Sequence, residues 1–182
     1  MSILLDTNDL SNIVSLNVGD KVLLSGVIYS ARDSAHKRLF ELSDNGGELP
    51  FALENAVIYY MGPTPTKKGD IIGSCGPTTS GRMDKFSPRL ISLGLKIMIG
   101  KGERSNEVIN SCKEYKSVYL CAIGGAGALI ASCVTSCDVI AFEDLGCESI
   151  KKLTVKDFPL IVGIDCNGRN IFEEGKNKYK NL

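Results

Sequence analysis

LKIMIGKGERSNEVINSCKEYKSVYLCAI, residues 95–123, reads as strand, helix, strand. Leu95 to Gly100 is a short apolar run with β-branched Ile97 and Ile99, closed by glycine. Glu103 to Tyr115 has the spacing of an amphipathic helix, and Ser117 to Ile123 is a second apolar strand. Alternation of strand and helix marks an α/β domain.

The pattern continues on both sides. Upstream, Asp9 to Val14 reads as a short helix, Lys21 to Tyr29 as a strand launched by the Val18-Gly19-Asp20 turn, and Ala56 to Tyr60 as another strand. From Ala31 onward a helix puts Ala35, Leu39, Phe40 and Leu42 on one face and ends at Asn45-Gly46-Gly47. Gly62 to Thr66 is a rigid loop, Ile71 to Ser74 a short strand, and Phe86 to Leu93 a helix with Pro88 in its first turn. Downstream, Gly124 to Gly127 is a turn and Ala128 to Val134 a helix. Asp138 to Phe142 and Leu160 to Asp165 are late strands, and Asn167-Gly168 is a hairpin-type turn with Ile171-Phe172 as its return strand. Antiparallel strands are therefore expected at both ends of the chain.

Composition narrows the function classes. Lys plus Arg and Asp plus Glu are 21 each, so the strong basic bias of a nucleic-acid binder is missing. Only Lys176 to Lys180 is locally basic, and it reads as a solvated terminus. Val118 to Cys137 carries no charge over twenty residues, but Gly124, Gly125 and Gly127 interrupt it and Ser132, Thr135 and Ser136 dilute it. It reads as strand, turn and helix, not as a membrane span. Seven cysteines, an odd number, and an opening Met1-Ser2-Ile3-Leu4-Leu5 that meets Asp6 without a preceding positive charge point to reduced thiols in a cytoplasmic protein. No CxxC pair occurs, and one histidine is too few for a histidine-rich metal site, so no metal is assigned to this chain. Cys133 and Cys137 share a helix face on this reading, but dispersed single cysteines are mostly small buried hydrophobes.

Two turns concentrate the chemistry. Ala31-Arg32-Asp33-Ser34-Ala35-His36 follows a strand and contains the only histidine. Arg32 and His36 stand one helical turn apart, so the arginine can hold an anion while the imidazole moves or orients a proton. The plainer reading is a surface helix with an Arg–Asp pair and an exposed histidine. Gly76-Pro77-Thr78-Thr79-Ser80-Gly81-Arg82-Met83-Asp84 joins three hydroxyls to a guanidinium that can grip a carboxylate through two parallel bonds. Its plainer reading is a helix cap, with the hydroxyls taking helix N–H groups. Lys101, between Gly100 and Gly102, can neutralise a second carboxylate or be an ordinary strand-end lysine. Gly124-Gly125-Ala126-Gly127 fails the dinucleotide pattern and fits close backbone packing or a small anion better.

Taken in order, Ala-Arg-Asp-x-Ala-His, Gly-Pro-Thr-Thr-Ser-Gly-Arg-Met-Asp and Gly100-Lys101-Gly102 resemble the class I fumarate hydratases. More narrowly the chain is similar to their separate β subunit, the equivalent of the C-terminal domain of the single-chain enzymes, with the L(+)-tartrate dehydratase β subunit a close relative. The likeness runs from about Val18 to Phe172. It implies one fumarase C-terminal-type domain over residues 1–182, core about 18–172, with a swivelling β/β/α fold of mixed sheet and flanking helices. It implies reversible hydration of fumarate to (S)-malate, in an α2β2 assembly whose α subunit holds a [4Fe-4S] cluster and without which this chain is inactive. It implies Arg32, Arg82 and Lys101 on the substrate carboxylates, and Thr78 and His36 as catalytic residues. Ser34 departs from the alanine of many relatives. Gly81 before Arg82 and Tyr59-Tyr60-Met61-Gly62-Pro63 favour fumarate over L-tartrate. A noncatalytic dicarboxylate-binding regulatory domain is the alternative of another class.

Overall fold

A computed structural model describes residues 2–180. Seven strands form one sheet: β1 (Ile3–Asp6), β2 (Lys21–Ser30), β3 (Val57–Tyr59), β4 (Ile97–Gly100), β5 (Val118–Cys121), β6 (Val134–Ala141) and β7 (Ile150–Ile164). Five helices accompany them: α1 (Asp33–Asp44), α2 (Ser87–Ser92), α3 (Asn106–Tyr115), α4 (Gly127–Ser132) and α5 (Ile171–Tyr179). Single 3-10 turns lie at Ser11–Ser15 and Ser80–Met83, and Glu143–Glu148 is 3-10 helical with a kink at Gly146.

The strand order is β1-β2-β3-β4-β5-β7-β6, and β2 also pairs with β7. Hydrogen bonding therefore closes through β2, β3, β4, β5 and β7. Neighbours from β1 to β5 run parallel, while β7 is antiparallel to β2, β5 and β6. The mixed α/β architecture expected from the alternation is present.

Strand alternation sorts the side chains into two cores. Val57, Tyr59, Ile97, Ile99, Val118, Leu120, Phe158, Leu160 and Val162 pack together with Leu5, Ile13 and Leu24. Ile58, Tyr60, Met98 and Tyr119, one residue out of phase, pack against Ala35 and Leu39 of α1, Leu90 and Ile91 of α2, and Val108 of α3. Burial on both faces explains why β3, β4 and β5 read as continuous apolar runs.

Several expectations are corrected. β1, which the sequence reading did not place, joins β2 in parallel, whereas β2, the first strand read, is antiparallel to β7 as expected. Ile71 to Ser74 forms no ladder; instead Ser74 donates to Thr64 Oγ1 at 2.9 Å and accepts the Thr64 amide at 3.1 Å. The 128–134 helix stops at Ser132, because Val134 already pairs with Val155 as the start of β6. Cys133 and Cys137 therefore share no helix face. Ile171-Phe172 is not a return strand but the start of α5. Asn170 caps that helix by accepting the Phe172 amide at 3.1 Å, and Glu173 and Glu174 sit in the first turn where the helix dipole favours them. The basic run 176–180 lies on and just beyond α5 and is exposed from Lys176 on, apart from the half-buried Gly175 before it.

The largest surprise is β7, of which only the last third was legible. Its first part contains Lys151, Lys152, Lys156 and Asp157, and Pro159 lies beyond. Asp157 takes a left-handed backbone (φ 52°) at a bulge opposite Ser25, whose hydroxyl accepts its amide at 3.0 Å. Lys151 is buried, with Nζ 2.7 Å from Ser149 Oγ and within 3.3 Å of the carbonyls of Gly146, Cys147 and Ser149. Among the described residues no helix is long and apolar enough to cross a membrane, and the uncharged run 118–137 is divided among β5, α4 and β6.

Candidate active site

Parallel β2, β3 and β4 end side by side, at Ser30, Tyr59 and Gly100. The crevice beyond the carboxyl ends of such strands is where α/β sheets hold ligands. Arg32, Gly62 and Lys101 follow these strand ends at once. The 75–84 segment crosses above them. The Thr78 amide donates to the Tyr60 carbonyl at 2.7 Å, the Lys101 amide to the Thr78 carbonyl at 3.3 Å, and the Ser80 amide to the Lys101 carbonyl at 2.8 Å. Thr78 is thus stitched by its backbone between the ends of β3 and β4, with its side chain part-exposed.

Ser80 faces inward. It is fully buried, and its hydroxyl lies 2.9 Å from the Tyr119 hydroxyl, which also donates to the Gly102 carbonyl at 3.0 Å. No hydroxyl caps the 3-10 turn it opens, so the capping explanation for Thr-Thr-Ser falls away. Gly100 makes the crossing possible: a Cβ there would stand 2.0 Å from Ser80 Oγ.

Arg32 lies at the N-terminus of α1 with extended backbone (ψ −163°). Its Nη2 is 3.6 Å from Glu148 Oε1, and its Nε is buried 3.9 Å from Asp33 Oδ2. Gly62 leaves it room, since a Cβ there would come within 3.0 Å of Arg32 Nη1. Arg82 projects from the 3-10 turn, half exposed, and its Nε donates to Asp33 Oδ1 at 2.9 Å. Lys101 is exposed, with Cδ 3.8 Å from where a Gly124 Cβ would be. Within the glycine run only Gly127 is demanded by close packing, since a Cβ there would run into Ser74 Oγ and the Gly76 amide, whereas a Cβ at Gly125 would meet nothing. Arg32, Thr78, Arg82 and Lys101 are brought to one edge.

His36 does not open onto that edge. It is completely buried, so the surface-helix reading with an exposed histidine does not hold. Its ring lies 5.5 Å from that of Tyr60 and 5.6 Å from that of Phe86. Nδ1 is 2.8 Å from the Arg32 carbonyl, which makes it the N–H donor and leaves Nε2 unprotonated and without a partner among the described residues. Burial pushes the imidazole pKa down to about 4; the bond to the Arg32 carbonyl opposes the shift and the nearby Arg104 charge adds to it. His36 is neutral at pH 7 and touches the site through the Arg32 backbone.

Two further residues escaped the sequence reading. Glu148 accepts the Ser34 amide at 3.0 Å and flanks Arg32. Arg104 lies fully buried beneath the site, 2.6 Å from Asp84 Oδ1 and 2.7 Å from Ser87 Oγ, with its guanidinium over the rings of Tyr60 and Tyr119. A lone arginine in a glycine-bounded loop carries no signal of burial. Its spacing to Asp84, whose Oδ2 accepts the Ser105 amide at 2.6 Å, shows only in the fold.

A family profile described as "Fumarase C-terminus" matches residues 1–175. The chain belongs to the fumarase C-terminus family. It is 39% identical over 178 residues to a putative L(+)-tartrate dehydratase subunit beta of Methanocaldococcus jannaschii, covering 94% of this chain and 91% of that one. It is 34% identical over 169 residues to the L(+)-tartrate dehydratase subunit beta of Escherichia coli (strain K12), covering 90% and 83%. It is 40% identical over 159 residues to the aerobic class I fumarate hydratase of the same organism, covering 86% of this chain and 29% of that one. The chain thus spans less than a third of the fumarate hydratases that it matches. Among the described residues of this fumarase C-terminal domain, no three His, Cys, Asp or Glu side chains converge to hold a metal. Its cysteines are scattered free thiols, and burial pushes Cys75 and Cys112 up to about 12. They do not fit an iron–sulfur cluster.

Proposed function

We propose that residues 1–182 act as one swivelling β/β/α domain, the β subunit of a hydro-lyase that reversibly hydrates fumarate to (S)-malate. The reading is supported by the adjacent strand ends and crossing segment that carry Arg32, Arg82, Lys101 and the backbone-pinned Thr78. Three cations match the two carboxylates of a small dianion. The near end-to-end similarity to chains named subunit beta supports a separate partner; in this reading that partner is an α subunit, and the assembly is a cytoplasmic α2β2 heterotetramer. That partner holds the [4Fe-4S] cluster, which supplies Lewis acidity at the substrate hydroxyl.

This chain's part is anion binding and proton handling. Arg82 can take one carboxylate end-on through its two Nη groups, with Arg32 and Lys101 neutralising the rest of the dianion. Thr78 faces the carbon that exchanges a proton. A threonine hydroxyl is a weak base, and the adjacent cations lower the cost of its alkoxide. His36, neutral and bonded to the Arg32 carbonyl, serves the reaction by holding Arg32.

L-tartrate is the second substrate, favoured by the names of the relatives covered almost completely. A Cβ at Gly81 would meet nothing nearer than the Glu103 carbonyl at 3.6 Å, so the glycine leaves open space beside Arg82. The test is anaerobic co-purification with the cluster-bearing partner and comparison of turnover on fumarate and L-tartrate. Fumarate is expected to dominate, and Thr78→Ala to abolish turnover. A complex that hydrates no dicarboxylate would sink the proposal. Unchanged turnover in Thr78→Ala would point to a noncatalytic binding domain.

A further inference from the structure

The four site residues leave one neighbour without a role. Asp33 is the first residue of α1, lies between the two arginines and is only part-exposed. Its Oδ1 accepts from Arg82 Nε at 2.9 Å. Its Oδ2 is buried, unpartnered among the described residues, and faces the equally unpartnered Arg32 Nε across 3.9 Å. Two cations that both serve a dianion repel one another, and a carboxylate between them makes their proximity tolerable.

Which nitrogen Asp33 engages matters most. A guanidinium offers a side-on pair of donors, Nε with one Nη, and an end-on pair, the two Nη groups. With Nε occupied by Asp33, the side-on approach is closed. Among the described residues Arg82 makes no other hydrogen bond, so both Nη groups remain for a ligand. The helix terminus fixes the Asp33 backbone, because Glu148 accepts the next amide, that of Ser34, at 3.0 Å. The orientation of Arg82, on a 3-10 turn, is thus set from a different element.

We propose that Asp33 is a positioning residue, which turns the Arg82 fork end-on toward the substrate carboxylate and offsets the repulsion between Arg82 and Arg32. This rests on the dicarboxylate reading above. As the proton leaves the carbon, negative charge builds on the carboxylate next to it, and a fork already aligned stabilises that charge without reorganising. Asp33 also opposes the approach of a dianion. Its removal therefore strengthens ground-state attraction while it loosens transition-state alignment.

The test uses the assembled enzyme for kinetics and the full chain for spectroscopy. Asp33→Ala is expected to lower kcat at least about tenfold while KM stays within about threefold or falls. Asp33→Asn, which keeps an acceptor for Arg82 Nε, should recover a large part of kcat, and Asp33→Glu, one methylene longer, should not. In the full chain, the Arg82 Nε–Hε resonance, assigned by its loss in Arg82→Lys, should be protected from solvent exchange and lose that protection in Asp33→Ala. An unchanged kcat in Asp33→Ala, a loss confined to KM, or an Arg82 Hε indifferent to Asp33 would each overturn the proposal. If the wild-type complex turns over neither fumarate nor L-tartrate, the dicarboxylate reading fails and this role fails with it. The Hε probe distinguishes that outcome from a failure confined to Asp33.

Discussion

Arg104 Nε and Asp84 Oδ1 lie 2.6 Å apart in the layer beneath the candidate site, with the arginine side chain fully buried. The pair ties the segment carrying Thr78 and Arg82 to the one carrying Lys101, since Asp84 also accepts the Ser105 amide. Arg104→Met removes the cation and leaves a half-buried carboxylate that retains only a backbone donor. It should cost about 3–5 kcal/mol of stability, as for other buried pairs broken on one side. Denaturant unfolding of wild type and variant checks this, and a loss under about 1 kcal/mol would show that the pair carries no structural weight.

Gly100 lies under the Ser80 hydroxyl. In Gly100→Ala the new Cβ would stand 2.0 Å from Ser80 Oγ and 3.1 Å from Tyr60 Cδ2. The crossing segment must lift, at a cost of about 1–3 kcal/mol typical of overpacking. Ser80→Gly on that background removes the hydroxyl in the way and should restore part of the loss, a coupling that a double-mutant cycle measures.

Arg82 presents a planar fork where lysine would offer a point charge. Arg82→Lys in the assembled enzyme should lose about 2–4 kcal/mol of transition-state stabilisation, read from kcat/KM. Near-normal kcat/KM would remove Arg82 from the site.

His36 makes stability depend on pH. Its folded pKa, pushed down to about 4 by burial, lies below the unfolded value near 6.5. Between these values the unfolded chain binds the extra proton, so stability falls as pH falls. The contribution is complete above pH 6.5 and is lost on descending to about pH 4, with a full span of roughly 3 kcal/mol. His36→Asn keeps a donor for the Arg32 carbonyl and removes the titration. Its unfolding free energy should decline less than that of wild type between pH 7 and pH 5. Parallel declines would show that His36 is not buried neutral.

Much of the fold was legible because its signals are local. β2, β3, β4 and β5 are apolar runs closed by glycine or polar turns, and α1 and α3 carry their apolar residues at helical spacing. Arg32, Arg82 and Lys101 stood out because each follows a strand or a glycine-rich turn. The first ten residues of β7 gave no such signal. Lys151 satisfies its charge on backbone carbonyls, which leave no trace in side-chain patterning, and the bulge at Asp157 breaks the alternation between Val155 and Phe158. α5 was readable from Asn170, Glu173 and Glu174, but the Asn167-Gly168 turn pointed to a hairpin instead.

The sequence by itself determined the α/β class, the strands that bear the site and the cationic residues that follow them, because periodicity and turn chemistry act over a few neighbours. Only the tertiary structure decided that the ring closes through β2 and β7, that His36 is buried behind Arg32, that Arg104 pairs with Asp84, and that Asp33 stands between two arginines. Each of these depends on residues far apart in the chain: β2 meets β7 across more than a hundred positions, and Asp33 meets Arg82 across 49. Burial and partner choice at such separations follow from packing, and no local spacing encodes them.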